Sequence, residues 1–155
     1  MDLPPDFSDL LAEFARARVD FVVVGGYAVA FHGRPRATKD LDILLPGGED
    51  NLLRAGEALR AFGAPANVVS AVETMADDDV VFLGAPPLRV DLLRRVDGLD
   101  AADALARAVD AVVGGLRFRV IALDDLITNK RASGRTQDIV DVEVLERLRA
   151  RRQVK

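Results

Sequence analysis

Residues 19–45 read VDFVVVGGYAVAFHGRPRATKDLDILL, and this stretch decides the fold. Phe21 to Val24 is a largely β-branched run closed by Gly25 and Gly26, which predicts a short buried strand. Tyr27 to His32 then reads as a short helix ending at Gly33. Residues 34–39 read as a loop, because Pro35 disfavours helix at Arg34. Asp40 to Leu45 reads as a second strand, stopped by Pro46-Gly47-Gly48.

That second strand is unusual. Side chains alternate across a strand, so Leu41, Ile43 and Leu45 face one way and Asp40, Asp42 and Leu44 the other. The two carboxylates share a face at a backbone separation of about 7 Å. Aspartate is a poor strand former, and like charges this close repel. Two readings follow: a solvated edge strand, or a pair of hard oxygen donors for Mg²⁺ or Mn²⁺. A second strand, Leu88 to Leu93, carries Asp91 among apolar residues. Asp91 wants a partner, either Arg89 on the same face or a cation shared with Asp40 and Asp42.

Working outward, Phe7, Leu10, Leu11 and Phe14 recur at helical spacing after Pro4 and Pro5. Asn51 to Phe62 predicts a helix stopped by Gly63. Residues 66–76 lean towards helix. Val80 to Leu83 and Leu88 to Leu93 read as strands joined by a Gly-Ala-Pro-Pro turn. Residues 101–107 read as a short helix. Ala111 to Val113 and Leu116 to Ile121 flank Gly114-Gly115, a two-residue hairpin signal. Helices over about 123–132 and 137–150 follow. The pattern is α+β, with a mixed, mostly antiparallel sheet of about five strands flanked by helices.

Composition narrows the chemistry. The 155 residues include no cysteine and one histidine, His32. Disulfides, thiol nucleophiles and Cys- or multi-His metal sites within the chain are excluded. None of Ser8, Ser70 and Ser133 lies in a nucleophile-elbow sequence. His32, beside Gly33, reads as structural. The longest apolar stretch, Phe21 to Phe31, has 11 residues and two glycines, whereas a membrane span needs roughly 20. The N-terminal MDLPPDFSDL has no apolar core, so a cytoplasmic protein without membrane association is expected.

The net charge of −4 argues against general affinity for nucleic acid. Residues 130–155 nevertheless hold eight basic and four acidic side chains, leaving −8 on the rest. This basic tail reads either as a solvated helix or as a landing strip for a phosphate-rich partner. The seven Phe mostly fall on core faces, and there is no Trp, so no aromatic platform for bases is evident.

Gly25-Gly26, thirteen intervening residues, Asp40-Leu41-Asp42 and a later Asp91 resemble the signature of the DNA-polymerase-β-like nucleotidyltransferase superfamily. The strings VVVGGYAVAFHGRPRATKDLDILL and DLITNKRASGRTQDIVDVEVL are similar to small bacterial members related to abortive-infection-type toxins. The resemblance is clearest over 19–45, 88–93 and 123–145. It implies one nucleotidyltransferase-like domain over 1–155, with a catalytic core at about 19–121 and a helical segment at about 122–152.

The implied reaction moves a nucleoside monophosphate from a nucleoside triphosphate to an acceptor hydroxyl, releasing pyrophosphate. By resemblance, Asp40, Asp42 and Asp91 would hold two divalent cations, Mg²⁺ or Mn²⁺, with Asp91 also taking the acceptor's proton. Gly25 and Gly26 would let the backbone approach the triphosphate. Arg34, Arg36 and Lys39 surround the acidic strand and read either as phosphate contacts or as counter-charges to Asp40 and Asp42. Thr38 is a loop hydroxyl at a position similar to the family's, and the resemblance assigns Arg36, Thr38 and Lys39 to nucleotide binding. Lys130, one of only three lysines against 18 arginines, shares a helix face with Leu123, Leu126 and Ile127. It reads either as a nucleotide-binding cation or as a lysine whose stem lies on the core edge. Asp138 and Asp141 read first as acids suited to a helix N-terminus, with pairing to Lys130 or Arg135 as the other reading.

The acceptor would be RNA, including tRNA, or a small molecule, and a homodimer would supply a further wall of the cleft. The alternative is a non-catalytic relative that binds nucleotide, or the partner protein in a toxin–antitoxin pair.

Overall fold

The computed structural model describes residues 2–33, 38, 40–85 and 87–154. Arg36, Lys39 and most of the expected 34–39 loop lie outside the described residues, as does Pro86 in the 84–87 turn. The elements are α1 (Pro5–Arg16), β1 (Val22–Val24), α2 (Gly25–Phe31), β2 (Asp40–Leu44), α3 (Glu49–Phe62), α4 (Ala66–Glu73), β3 (Val80–Ala85), β4 (Leu88–Leu93), α5 (Ala101–Arg107), β5 (Val109–Val113), β6 (Leu116–Val120), α6 (Leu123–Ser133) and α7 (Thr136–Gln153).

The fold is α+β, built on a six-stranded sheet of order β3-β4-β2-β1-β6-β5. Three pairings, β1–β2, β3–β4 and β5–β6, are antiparallel. The other two, β1–β6 and β2–β4, are parallel. One strand more is present than the roughly five expected. The hairpin strand β5 also starts at Val109 rather than Ala111. Gly114 and Gly115 turn it with φ of 58° and 81°, a backbone that side-chain-bearing residues avoid.

Hydrophobic burial fixes this arrangement. All three residues of β1 are buried, as expected of a strand flanked by β2 and β6 and covered by helix. Leu41, Ile43, Leu44 and Leu45 are wholly buried. Pro5 begins α1, where its missing N–H costs nothing, and Phe7, Leu10, Leu11 and Phe14 form the buried face. Helix α1 packs on α3, α3 on α4, and α6 on α7. Asn51 anchors the start of α3 by donating to the carbonyls of Asp20 and Pro46, at 2.9 and 2.7 Å. His32 is structural: its buried ring reaches the Ile121 carbonyl at 2.7 Å, tying α2 to the end of β6. No helix among the described residues is long and apolar enough to cross a membrane.

Candidate active site

The sheet register assembles the site. Val24 on β1 pairs with Asp42 on β2. Asp42 pairs with Asp91 on β4, and Asp91 with Phe82 on the edge strand β3. Directly paired residues project from the same face of a sheet, so Asp42, Asp91 and Phe82 form one row. Asp40 and Arg89 pair one step along the same face. Two acids far apart in sequence thus become lateral neighbours, at a usual strand spacing of about 4.8 Å.

Asp42 is the strained member. Its pKa is pushed up from the ordinary 3.8 to about 7, first by burial and then by the charges of Asp91 and Asp40. A hydrogen bond with Asp91 acts in the same direction, and nearby Lys130 opposes it. Near neutral pH Asp42 therefore favours retaining its proton. Gly25 makes room for it. A Cβ built on Gly25 would lie 2.0 Å from Asp42 Oδ2, and Gly25 has φ of 69°. Only glycine meets both conditions at this junction of β1 and α2. Helix α2 begins at Gly25, two residues earlier than the sequence indicated, so both glycines form its first turn.

Arg89 binds the other two acids. Its Nε donates to Asp91 Oδ1 at 2.8 Å, and Nη2 to Asp91 Oδ2 at 3.2 Å. Nη2 also reaches Asp40 Oδ2 at 3.4 Å. The guanidinium lies over the Phe82 ring, 4.5 Å from its centroid. Phe82 is 52 % exposed. An accessible aromatic ring therefore stands in the row of acids, where the sequence had offered no platform. The strand alternation puts Phe82 opposite buried Leu83, but its position beside Asp91 follows only from the pairing of β3 with β4.

A buried ionic cluster flanks the row. Lys130 Nζ lies 3.1 Å from Asp138 Oδ1 and 3.3 Å from Asp141 Oδ2, with all three side chains almost fully buried. Arg135 Nε donates to Asp138 Oδ2 at 2.8 Å. Burial raises the Asp138 pKa, but hydrogen bonds from Arg135 and Lys130 outweigh it and hold the group below the ordinary range. Asp138 and Asp141 thus face inward as lysine partners, and the helix-end reading is insufficient for them. Arg135 also feels the charge of Asp42, which places a largely exposed cation near the acid row.

The family model "Nucleotidyl transferase of unknown function (DUF2204)" matches residues 5–155. The chain belongs to this nucleotidyl transferase family. The sequence matches none of the curated proteins. Among solved structures, the transferase resembles the antibiotic-resistance factor ANT(2'')-Ia in solution, with TM-score 0.60 and 17 % identity over 96 % of this chain and 90 % of that one. It also resembles the lincosamide antibiotic adenylyltransferase LnuA in its lincomycin-bound form. That match has TM-score 0.61 and 13 % identity over 95 % of this chain and 98 % of the other. A nucleotidyltransferase (TM1012) from Thermotoga maritima has TM-score 0.56 and 16 % identity, over 96 % and 91 % of the two chains. At these identities the likeness is one of fold, and the fold agrees with the superfamily resemblance read from the motifs.

Most of the residues singled out in the transferase sequence fall near one another. Asp40, Asp42 and Asp91 occupy adjacent strands on one sheet face, with Gly25 against Asp42. Gly26 follows in the first turn of α2. The Tyr27 hydroxyl donates to the Thr38 carbonyl at 3.4 Å, and Tyr27 lies near enough to Asp40 to feel its charge. Lys130 is buried in ion pairs within range of Asp42.

The donor chemistry suits a divalent cation. Asp42 and Asp91 are hard oxygen donors pressed into a site that disfavours their joint ionisation. Among the described residues, no group of three acids or histidines surrounds one point, and the Asp40 carboxylate pairs with Arg89 at 3.4 Å.

Proposed function

We propose that the protein moves a nucleoside monophosphate from a nucleoside triphosphate to a hydroxyl of a small-molecule acceptor. The observation that carries this reading is the Asp42–Asp91 carboxyl pair, aligned in register against Gly25. Two partly buried acids side by side, with Asp42 raised by burial and by its neighbours' charges, are electrostatically costly in isolation and suit a site that binds cations.

Asp42 and Asp91, with Asp40 beside them, would hold Mg²⁺ or Mn²⁺. When bound, such ions neutralise the triphosphate and stabilise charge developing between the attacking and leaving oxygens. Gly25 and Gly26 let the backbone approach the triphosphate. Lys130 supplies a fixed positive potential, and Arg135 an exposed cation, on the Asp42 side. Arg36, Thr38 and Lys39 belong to the segment entering β2 and are assigned to the nucleotide.

In the reaction the acceptor oxygen bonds to the α-phosphorus as the bond to pyrophosphate breaks. Asp91 takes the acceptor's proton. Phe82, next to Asp91 and away from Gly25, gives the acceptor side an apolar ring against which a sugar or other ring can rest. That placement favours a small ring-bearing acceptor over an RNA end. Antibiotic acceptors, named for two of the fold neighbours, are the first compounds to try.

The test is incubation with each α-labelled nucleoside triphosphate and Mg²⁺ or Mn²⁺, alongside lincomycin, tobramycin and total RNA. A labelled product that is lost in Asp42→Asn supports the reading. Nucleotide binding without transfer to any acceptor would favour a non-catalytic nucleotide binder or a toxin–antitoxin partner.

A further inference from the structure

The least expected group in the site is Arg89. It projects from the same face of β4 as Asp91 and stands opposite Asp40 in the parallel register. Its guanidinium grips both oxygens of Asp91 and reaches Asp40. It holds two of the three acids that the backbone brings together, and among the described residues no three acids surround one point. A guanidinium does not give up its proton near neutral pH, so it can leave the carboxylates only by moving.

The three contacts are unequal. The bond to Asp40 is the longest, at 3.4 Å, and Asp40 is also the more exposed acid, at 42 % against 15 % for Asp91. The Asp40 limb is therefore the easier to release. Phe82 supplies a resting place, since the guanidinium already lies over its ring. A cation that withdraws from Asp40 keeps its contact with the π-face and is not stranded.

We infer that Arg89 is a resident counter-cation of the acid row: it aligns Asp40 and Asp91 in the metal-free protein, opposes divalent-metal binding, and yields when a triphosphate arrives with the metal. This rests on the metal-dependent reading given above. The physical basis is competition for the same oxygens and repulsion between like charges. The guanidinium occupies the Asp91 oxygens and reaches Asp40. A dication alone must share those oxygens with a positive group a few ångströms away. A triphosphate arriving with the dication brings anionic oxygens that give the withdrawn guanidinium a new partner, so the guanidinium and the metal can coexist. Metal and nucleotide should therefore bind with positive coupling, and Arg89 should be one source of it. Arg89 acts through Asp40 and Asp91 and is a positioning residue.

The experiment measures Mn²⁺ binding by the electron paramagnetic resonance signal of free Mn²⁺, with and without ATP. Wild type, Arg89→Met, Arg89→Gln and Arg89→Lys are compared after circular dichroism confirms folding. Without ATP, the neutral variants should bind Mn²⁺ roughly tenfold more tightly than wild type, as expected when one positive charge is removed within a few ångströms of the ion. Arg89→Lys should stay near wild type. With ATP present the advantage should shrink to roughly twofold or less, because the nucleotide offsets the arginine.

Equal or weaker binding of Mn²⁺ by the neutral variants without ATP would overturn the inference and leave Arg89 as a scaffold for the acids. If one neutral variant does not fold, the other carries the comparison. If both fail, Arg89→Lys decides: it relaxes the bidentate grip while keeping the charge, and must not weaken Mn²⁺ binding. Failure of the metal reading looks different. Wild type, all folded Arg89 variants and Asp42→Asn would then bind no Mn²⁺ under either condition, and the inference would fall with it.

Discussion

Asp42 and Asp91 stand side by side, paired in register on parallel strands, although 48 residues separate them in the chain. A pair of acids so placed works against folding whenever both are ionised. Such a pair suits a site that binds a cation.

The pair should make stability depend on pH in an unusual direction. Most carboxylates stabilise a fold by being ionised, as Asp138 does through Arg135 and Lys130. The Asp42 pKa is instead raised, from 3.8 to about 7, chiefly by burial. Between these values the folded state binds more proton than the unfolded chain, so this contribution falls as pH rises. It is full below 3.8 and lost by about 7. Urea unfolding in the presence of EDTA at pH 5 and pH 8 measures it. Asp42→Asn should gain stability over wild type at pH 8, by about 1–3 kcal/mol, keep roughly a third of that advantage at pH 5, and lose it only below the unfolded value of 3.8. Mn²⁺ with ATP should stabilise wild type at pH 8 and leave Asp42→Asn unaffected.

Gly25→Ala should damage the site out of proportion to its size. The added carbon would meet Asp42 Oδ2 at 2.0 Å on a backbone of φ 69°. We expect a stability loss of about 1–3 kcal/mol and at least roughly tenfold weaker ATP binding in calorimetry. Gly114→Ala is the control. Its φ is 58°, yet nothing lies within 4 Å, so it should cost about 1 kcal/mol without changing ATP binding.

Lys130→Met should destabilise strongly, because it leaves Asp138 and Asp141 buried without their lysine. A loss of about 3–5 kcal/mol is expected from denaturant unfolding. Adding Asp138→Asn and Asp141→Asn should recover part of it. If Lys130 also serves the nucleotide, the refolded triple variant will still bind ATP weakly; restored binding would limit Lys130 to a structural role.

Phe82→Ala removes a side chain that is half exposed on an edge strand. Stability should change by less than about 1 kcal/mol. For the acceptor found with labelled nucleotide, KM should rise severalfold while the nucleotide KM stays within about twofold. Phe82→Tyr should retain the wild-type values.

Part of this site was legible in the sequence for simple reasons. A period of two puts Asp40 and Asp42 on one face whatever their neighbours, and Gly-Gly after a buried run marks a close turn. Asp91 was visible as an acid in mid-strand, with Arg89 as one candidate partner. What was not legible depends on which strands become neighbours. The reach of Arg89 to Asp40, and the place of Phe82 beside Asp91, exist only because β4 lies between β2 and β3. Nothing local in residues 80–93 reports that order. The last helix misled for a different reason. Its first turns bury Asp138 and Asp141 and expose Ile139 and Val140, at 57 % and 45 %. Polarity alone would turn that helix the other way, and the buried charge of Lys130 is what reverses it.

If Asp42 and Asp91 together bind a metal–triphosphate complex for transfer, calorimetric titration of Mn²⁺–ATP at pH 8 separates wild type from Asp42→Asn and Asp91→Asn. Saturable binding is expected for wild type and none for either variant, with both variants folded. Equal affinity in all three proteins would remove the two acids from the site.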